Sequence, residues 1–198
     1  AEGLLFGALP LLAATLTRDP RLISITDALN QAGWLLLGLA SGVAADRLPR
    51  LHLMWASNAV RALAAAVFAV LVWAGLAGLP TVYALGFVLG LAAPFFDNAS
   101  SSVLPELVEE TEFGRANSLT QMSLALAGNL LGPMVGTLVF VLAPAAPFGF
   151  AALAFAAGTL ITAWVSRRAP GRPAHTGTQS NLELLREGFS YLIHHRVL

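Results

Sequence analysis

Long apolar runs separated by short polar turns organise this chain. The runs are Gly3–Leu16, Ile25–Ala45, Leu51–Trp73, Leu79–Val103, Leu119–Leu142 and Phe148–Val165. They are too long for strands and none alternates strictly, so each is predicted to be a helix. All but the first come close to or exceed the roughly 20 residues that cross a hydrocarbon core of about 30 Å. A signal peptide would offer a run as short as the first, but it needs a basic stretch in front, and Ala1-Glu2 is not one. The first run is therefore expected to be the remaining part of a longer span. Turn chemistry marks the connectors Thr17-Arg-Asp-Pro20, Ala77-Gly-Leu-Pro80 and Ala143-Pro-Ala-Ala-Pro147.

Composition agrees with a membrane domain. The 198 residues are 57% hydrophobic and 11% charged, and mean hydropathy is +0.72, whereas soluble domains carry about 25% charged residues. Glycine and alanine are abundant, which suits helices that pack through small side chains in lipid. Net charge is zero, so nucleic acid is not an expected partner. With no cysteine, the chain has no thiol chemistry, disulfide framework or cysteine-based zinc site. The basic residues are all arginine, a usage we attribute to a GC-rich genome.

Arginine placement predicts orientation. Arg47, Arg50, Arg115, Arg167, Arg168 and Arg172 follow runs two, four and six, whereas only Arg18 and Arg21 follow the odd-numbered runs. The first group is expected on the cytoplasmic side, with the amino terminus also inside. Glu106, Glu109, Glu110 and Glu112 weigh little in that rule. Residues 1–166 are thus read as a six-span bundle and residues 167–180, rich in Pro, Gly and Thr, as a cytoplasmic linker. Over 181–198, Leu182, Leu185, Phe189, Leu192 and Ile193 recur at helical spacing, and Ser180 with Glu183 offers a capping box. An amphipathic cytoplasmic helix is expected there, leading to a seventh span beyond the chain. The adjacent His194 and His195 point to different helix faces and are read as surface residues.

Three stretches carry more specific information. The first is Gly42-Val-Ala-Ala-Asp46-Arg47-Leu-Pro-Arg50, a charged turn between two apolar runs. It resembles the Gly-x-x-x-Asp-Arg-x-Gly-Arg-basic signature between the second and third spans of major facilitator superfamily transporters, with Pro49 in place of the second glycine and Leu51 in place of the last basic residue. The second is Gly128-Asn-Leu-Leu-Gly132-Pro133-Met-Val-Gly136, similar to the Gly-Pro motif of proton-driven exporters in that superfamily, with Thr137 in place of a final glycine. The third, Pro94 to Val108 followed by Arg115 to Gln121, resembles the exporter branch that includes enterobactin and macrolide efflux proteins. Asn117 and Ser118 stand where an N-cap for the fifth helix is expected.

The resemblance implies roles for these residues. Gly42, Asp46, Arg47 and Arg50 would latch two halves of a transporter in one state; a plain topogenic loop is the other reading. Gly128, Gly132 and Gly136 fall on one helical face that permits close approach, and Pro133 would bend that helix. An ordinary small-residue packing face is the alternative there.

Charges inside the runs form the third set of candidates. Arg61 lies about 15 Å into the third run at 1.5 Å per residue. Exposing it to lipid would cost at least ~2.5–3.5 kcal/mol, so it should face the bundle and find an anion. Asp97 and Glu2 are the candidates, either as a proton-exchanging pair or as a permanent structural salt bridge. Asp27, Asn30 and Gln31 open the second span, and Trp34, Trp55, Trp73 and Trp164 include interfacial anchors.

The expected fold is an all-α membrane protein: the six-helix N-terminal bundle of a twelve-helix transporter, built as two inverted three-helix repeats. The expected function is proton-coupled export of a small amphipathic molecule (a drug, siderophore or metabolite) across a bacterial inner membrane by alternating access. A superfamily importer or symporter, or a non-transporting sensor or assembly protein on the same scaffold, are the alternatives. By family analogy helices one, two, four and five line the cavity. Partners would be the substrate, the bilayer and a C-terminal six-helix half. No enzyme activity, metal or cofactor is expected, the proton gradient being the energy source: there is no phosphate-binding loop and no embedded His-carboxylate group.

Overall fold

A computed structural model describes residues 1–108 and 110–168. The expected amphipathic helix over 181–198 and His194-His195 lie outside the described residues, as does all but the start of the expected linker. The described chain is helical: α1 (Glu2–Leu16), α2 (Pro20–Arg47), α3 (Arg50–Trp73), α4 (Leu79–Leu107), α5 (Phe113–Leu142) and α6 (Ala146–Arg168). A single 3₁₀ turn, Glu110–Glu112, precedes α5. Helices α2 to α6 are each long and apolar enough to cross a membrane, and α1 is shorter.

Local chemistry sets the helix ends. Asp19 caps α2, its Oδ1 accepting from Arg21 N at 2.9 Å, with Pro20 at the first helical position. The α3 terminus is a Schellman motif: Leu76 N donates to Leu71 O at 2.9 Å and Gly75 N to Val72 O at 3.1 Å. Gly75 holds φ at 70°, a left-handed conformation that glycine adopts without steric cost. At the start of α4, Thr81 Oγ1 accepts from Gly78 N at 2.9 Å and donates to Gly78 O at 2.7 Å.

Three pairings build the bundle: α2 with α4, α3 with α6, and α1 with α5, while α4 also packs on α3. In the first pair Thr26 meets Gly86, Gly33 meets Gly90 and Ser41 meets Asn98, so the two helices run parallel. In the third, Gly3 meets Gly132 and Gly7 meets Pro133, again in parallel. In the second, Phe68 meets Phe148 near one end and Asn58 meets Gly158 near the other, an antiparallel pair. Exchanging α1 with α4, α2 with α5 and α3 with α6 carries this set of pairs onto itself. Each three-helix unit crosses an odd number of times, so the second begins on the opposite side from the first. That is the inverted-repeat arrangement expected from the sequence.

Several helices extend beyond the runs read from sequence: α2 begins at Pro20, before Ile25, and α4 continues past Val103 to Leu107. Helix α5 begins at Phe113, not Leu119, so Asn117 and Ser118 lie inside it; the Ser118 hydroxyl bonds back to Gly114 O at 2.9 Å. The helix starts early because Phe113–Ser123 is a polar first segment, which hydropathy does not separate from a loop. Helix α6 runs through Arg168, placing Arg167 and Arg168 in its last turn, where cations suit the helix dipole. The Arg168 guanidinium lies 3.9 Å from the centroid of the Trp164 ring.

Candidate functional site in the bundle interior

The inward face of α3 is a stripe at helical spacing: Ser57, Asn58, Arg61, Ala65 and Phe68 are buried. Arg61 is buried because it shares the stripe with Phe68, whose ring makes an edge contact with Phe148 in the core. One turn before it, Ser57 Oγ donates to Ala92 O at 2.6 Å and ties α3 to α4. Asn58 lies against Gly158 of α6.

Arg61 is 2% exposed. Its Nη1 donates to Glu2 Oε1 at 2.7 Å, joining α3 to the first turn of α1. Phe96 and Phe155 place their ring centroids 5.3 and 5.6 Å from the guanidinium carbon, within cation–π range. Asp97, the residue after Phe96, interacts electrostatically with Arg61. No ion pair joins Arg61 to Asp97 among the described residues, so of the two carboxylates expected from the sequence Glu2 is the one in contact. Arg61 Nε and Nη2 are buried with no hydrogen-bond partner among the described residues.

The charged turn lies at the opposite end of α2 from Asp19. Helix α2 ends at Arg47, with Leu48 N donating to Ala44 O at 2.8 Å. Arg50 Nη1 donates to Ser102 O in α4 at 2.7 Å, and Arg50 Nε donates to Ala45 O at 3.4 Å. The arginine therefore braces the C-terminal ends of α2 and α4, where a cation is favoured; Ala45 O has no helical donor because Pro49 lacks an N–H. Asp46 is exposed, and its carboxylate accepts no hydrogen bond from the described residues. No described atom lies within 4 Å of where a Gly42 Cβ would stand, so any close approach at this glycine comes from outside the described helices.

The Gly-Pro stretch of α5 meets α1. A Cβ on Gly132 or Gly136 would strike the backbone of Gly3 or Leu4, and one on Gly7 would strike Pro133. Gly128 takes part differently: space beside its own Cβ position is open, and its carbonyl abuts Gly3. Leu124–Leu131 forms a π-helical segment that ends just before Gly132-Pro133. Pro133 has no N–H to give, and its ring crowds the carbonyl one turn back, so the backbone widens there. The bend expected at Pro133 thus takes the form of a widened turn.

Some residues of the site were not identified from sequence. Gly3-x-x-x-Gly7 and Gly86-x-x-x-Gly90 are pairs at the spacing that marks close helix contact, one on α1 against α5 and one on α4 against α2. Phe96 lies in the Pro94–Val108 stretch but had no role assigned from sequence, and Phe155 gave no signal apart from being aromatic.

The arrangement holds the buried Arg61 against Glu2, with Asp97 acting on it from α4, at a junction of α1, α3, α4 and α6, beside two parallel crossings made of close backbone contact. No curated protein sequence matches this chain. The family model of the Major Facilitator Superfamily matches residues 1–198, the six-helix bundle fits an N-terminal half of such a transporter, and the chain belongs to that superfamily.

Proposed function

We propose that this bundle is the amino-terminal half of a secondary transporter that exports a small amphipathic molecule by alternating access, coupled to inward proton movement. The transporter would sit in a bacterial inner membrane, amino terminus inside, and its substrate would bind between this half and a C-terminal six-helix half. The observation that carries the coupling is the buried Arg61, bonded to Glu2 at 2.7 Å with Asp97 in electrostatic reach. A charge cluster inside a membrane domain is costly and marks an ion or proton path. Outward direction rests on the resemblance of Gly128–Gly136 to the exporter motif, and that stretch packs backbone to backbone on α1. The latch reading of Asp46, Arg47 and Arg50 belongs to the same proposal.

The test is accumulation of fluorescent drugs in pump-deficient cells expressing the full-length parent, with and without a protonophore. Reduced accumulation that the protonophore abolishes is the expected result. Asp97→Asn and Arg61→Ala should then each lower export, the first by removing a carboxylate that can take up a proton and the second by removing the cation it acts on. Unchanged accumulation across the panel would overturn the drug-export reading.

A further inference from the structure

Arg61 is under-partnered. A guanidinium presents five N–H donors in one plane. Glu2 takes the Nη1 end, and Phe96 and Phe155 stand within cation–π range. Nε and Nη2 remain buried with no hydrogen-bond partner among the described residues. Leaving charged donors unsatisfied inside a protein is unfavourable, and native structures rarely do so without a reason. Neutral neighbours do not meet the need: Ser57 is committed to Ala92 O, and Asn58 makes no hydrogen bond to the arginine. The other charge acting on Arg61 besides Glu2 is Asp97, carried on α4 next to Phe96, whose ring already touches the arginine.

We infer that Arg61 has two alternating carboxylate partners, and that Asp97 takes the Nε–Nη2 edge when Glu2 lets go. Phe96 and Phe155 act as positioning residues. Their rings hold the guanidinium in the bundle through attraction that does not depend on which acid is bound, so the arginine changes partner without crossing lipid. Glu2 is on α1 and Asp97 on α4, equivalent members of the two three-helix repeats. A change of partner therefore moves the cation's allegiance from one repeat to the other. The inference deepens the coupling reading proposed above and takes its place in transport from it.

The test reads stability, not flux. The full-length parent in detergent is melted as the native chain, Glu2→Gln, Asp97→Asn and the double variant. If Asp97 is the second partner, it rescues Arg61 in Glu2→Gln, and the double variant loses roughly 3–6 °C beyond the sum of the single losses. Additive losses would overturn the exchange. Where the double variant yields no folded protein, Glu2→Gln combined with Asp97→Glu decides: melting close to that of Glu2→Gln upholds it, and failure to fold overturns it. A chain that exports nothing still answers this test, so a failed transport assay and a failed partner exchange are distinguishable.

Discussion

The two parallel crossings, α2 on α4 and α1 on α5, are equivalent in the repeat but built to different rigidity. Both use glycine to bring backbones together: Gly33, Gly86 and Gly90 in one, Gly3, Gly7, Gly132 and Gly136 in the other. The α2–α4 crossing adds side-chain bolts. Tyr83 Oη donates to Leu22 O at 2.8 Å, Asn30 Nδ2 to Gly86 O at 3.4 Å and Asn98 Nδ2 to Ser41 Oγ at 2.7 Å. Among the described residues no side-chain hydrogen bond joins α1 to α5, and α5 carries the π segment before Pro133. Backbone contact without directional bonds resists separation but not sliding. The comparison predicts that α2–α4 acts as a frame and that α1–α5 is a joint that yields more readily.

The largest expected effect breaks the frame. A Cβ on Gly90 would collide with the Asn30 backbone, and neither helix can yield without losing the bolts on either side. Gly90→Val should cost about 3 kcal/mol or more, the upper end for overpacking, and leave little folded protein by size-exclusion profile. Gly136→Val makes the same kind of collision, with Leu4 of α1. Because α5 already departs from ideal geometry and no bolt pins it, the cost there should be nearer 1 kcal/mol. Equal losses for the two variants would refute the division into frame and joint.

A second experiment sharpens the joint. Pro133→Ala returns an N–H and removes the ring that crowds the preceding turn. The segment Leu124–Leu131 should relax toward an ordinary α-helix, and the melting temperature should rise by an amount corresponding to about 1–2 kcal/mol, part of the usual penalty of an interior proline. Export should fall in the same variant, because a straighter α5 loses its give. A melting temperature that does not move would mean that the α1 contact, not Pro133, imposes the widened turn.

The sequence showed some of this and hid the rest for identifiable reasons. Run lengths located five spans because lipid demands continuous apolar stretches, and the depth of Arg61 in its run sufficed to place it facing inward with an acid. Glu2 proved to be the acid in contact, a choice between two carboxylates that no spacing along one helix could make. The early start of α5 was illegible because Phe113–Ser123 presents a polar helical surface. Its π segment was illegible because Pro133 reports a disturbed ladder but not the form of the disturbance. The Gly86–Gly90 and Gly3–Gly7 pairs were readable in principle, since their spacing is a packing signal whatever the neighbour. The neighbour itself came only from topology.

The smallest expected effect tests whether the bolts matter at all. Asn98 Nδ2 donates to Ser41 Oγ, which is fully buried and itself donates to Gly38 O at 2.8 Å. Asn98→Ala removes one end of that link and leaves the glycine contacts untouched. Hydrogen bonds between membrane helices average about 0.6 kcal/mol, because the separated helices also find partners. A loss of that size by thermal melting, shared non-additively with Ser41→Ala, would show that α2 and α4 are fixed by several weak bonds laid over a close backbone contact. A loss near zero would leave the holding of α2–α4 to the Tyr83 and Asn30 bonds and to the glycine contacts. Tyr83→Phe with Asn30→Ala would then separate those two, because the glycine chemistry is shared with α1–α5 and cannot by itself make the crossings differ.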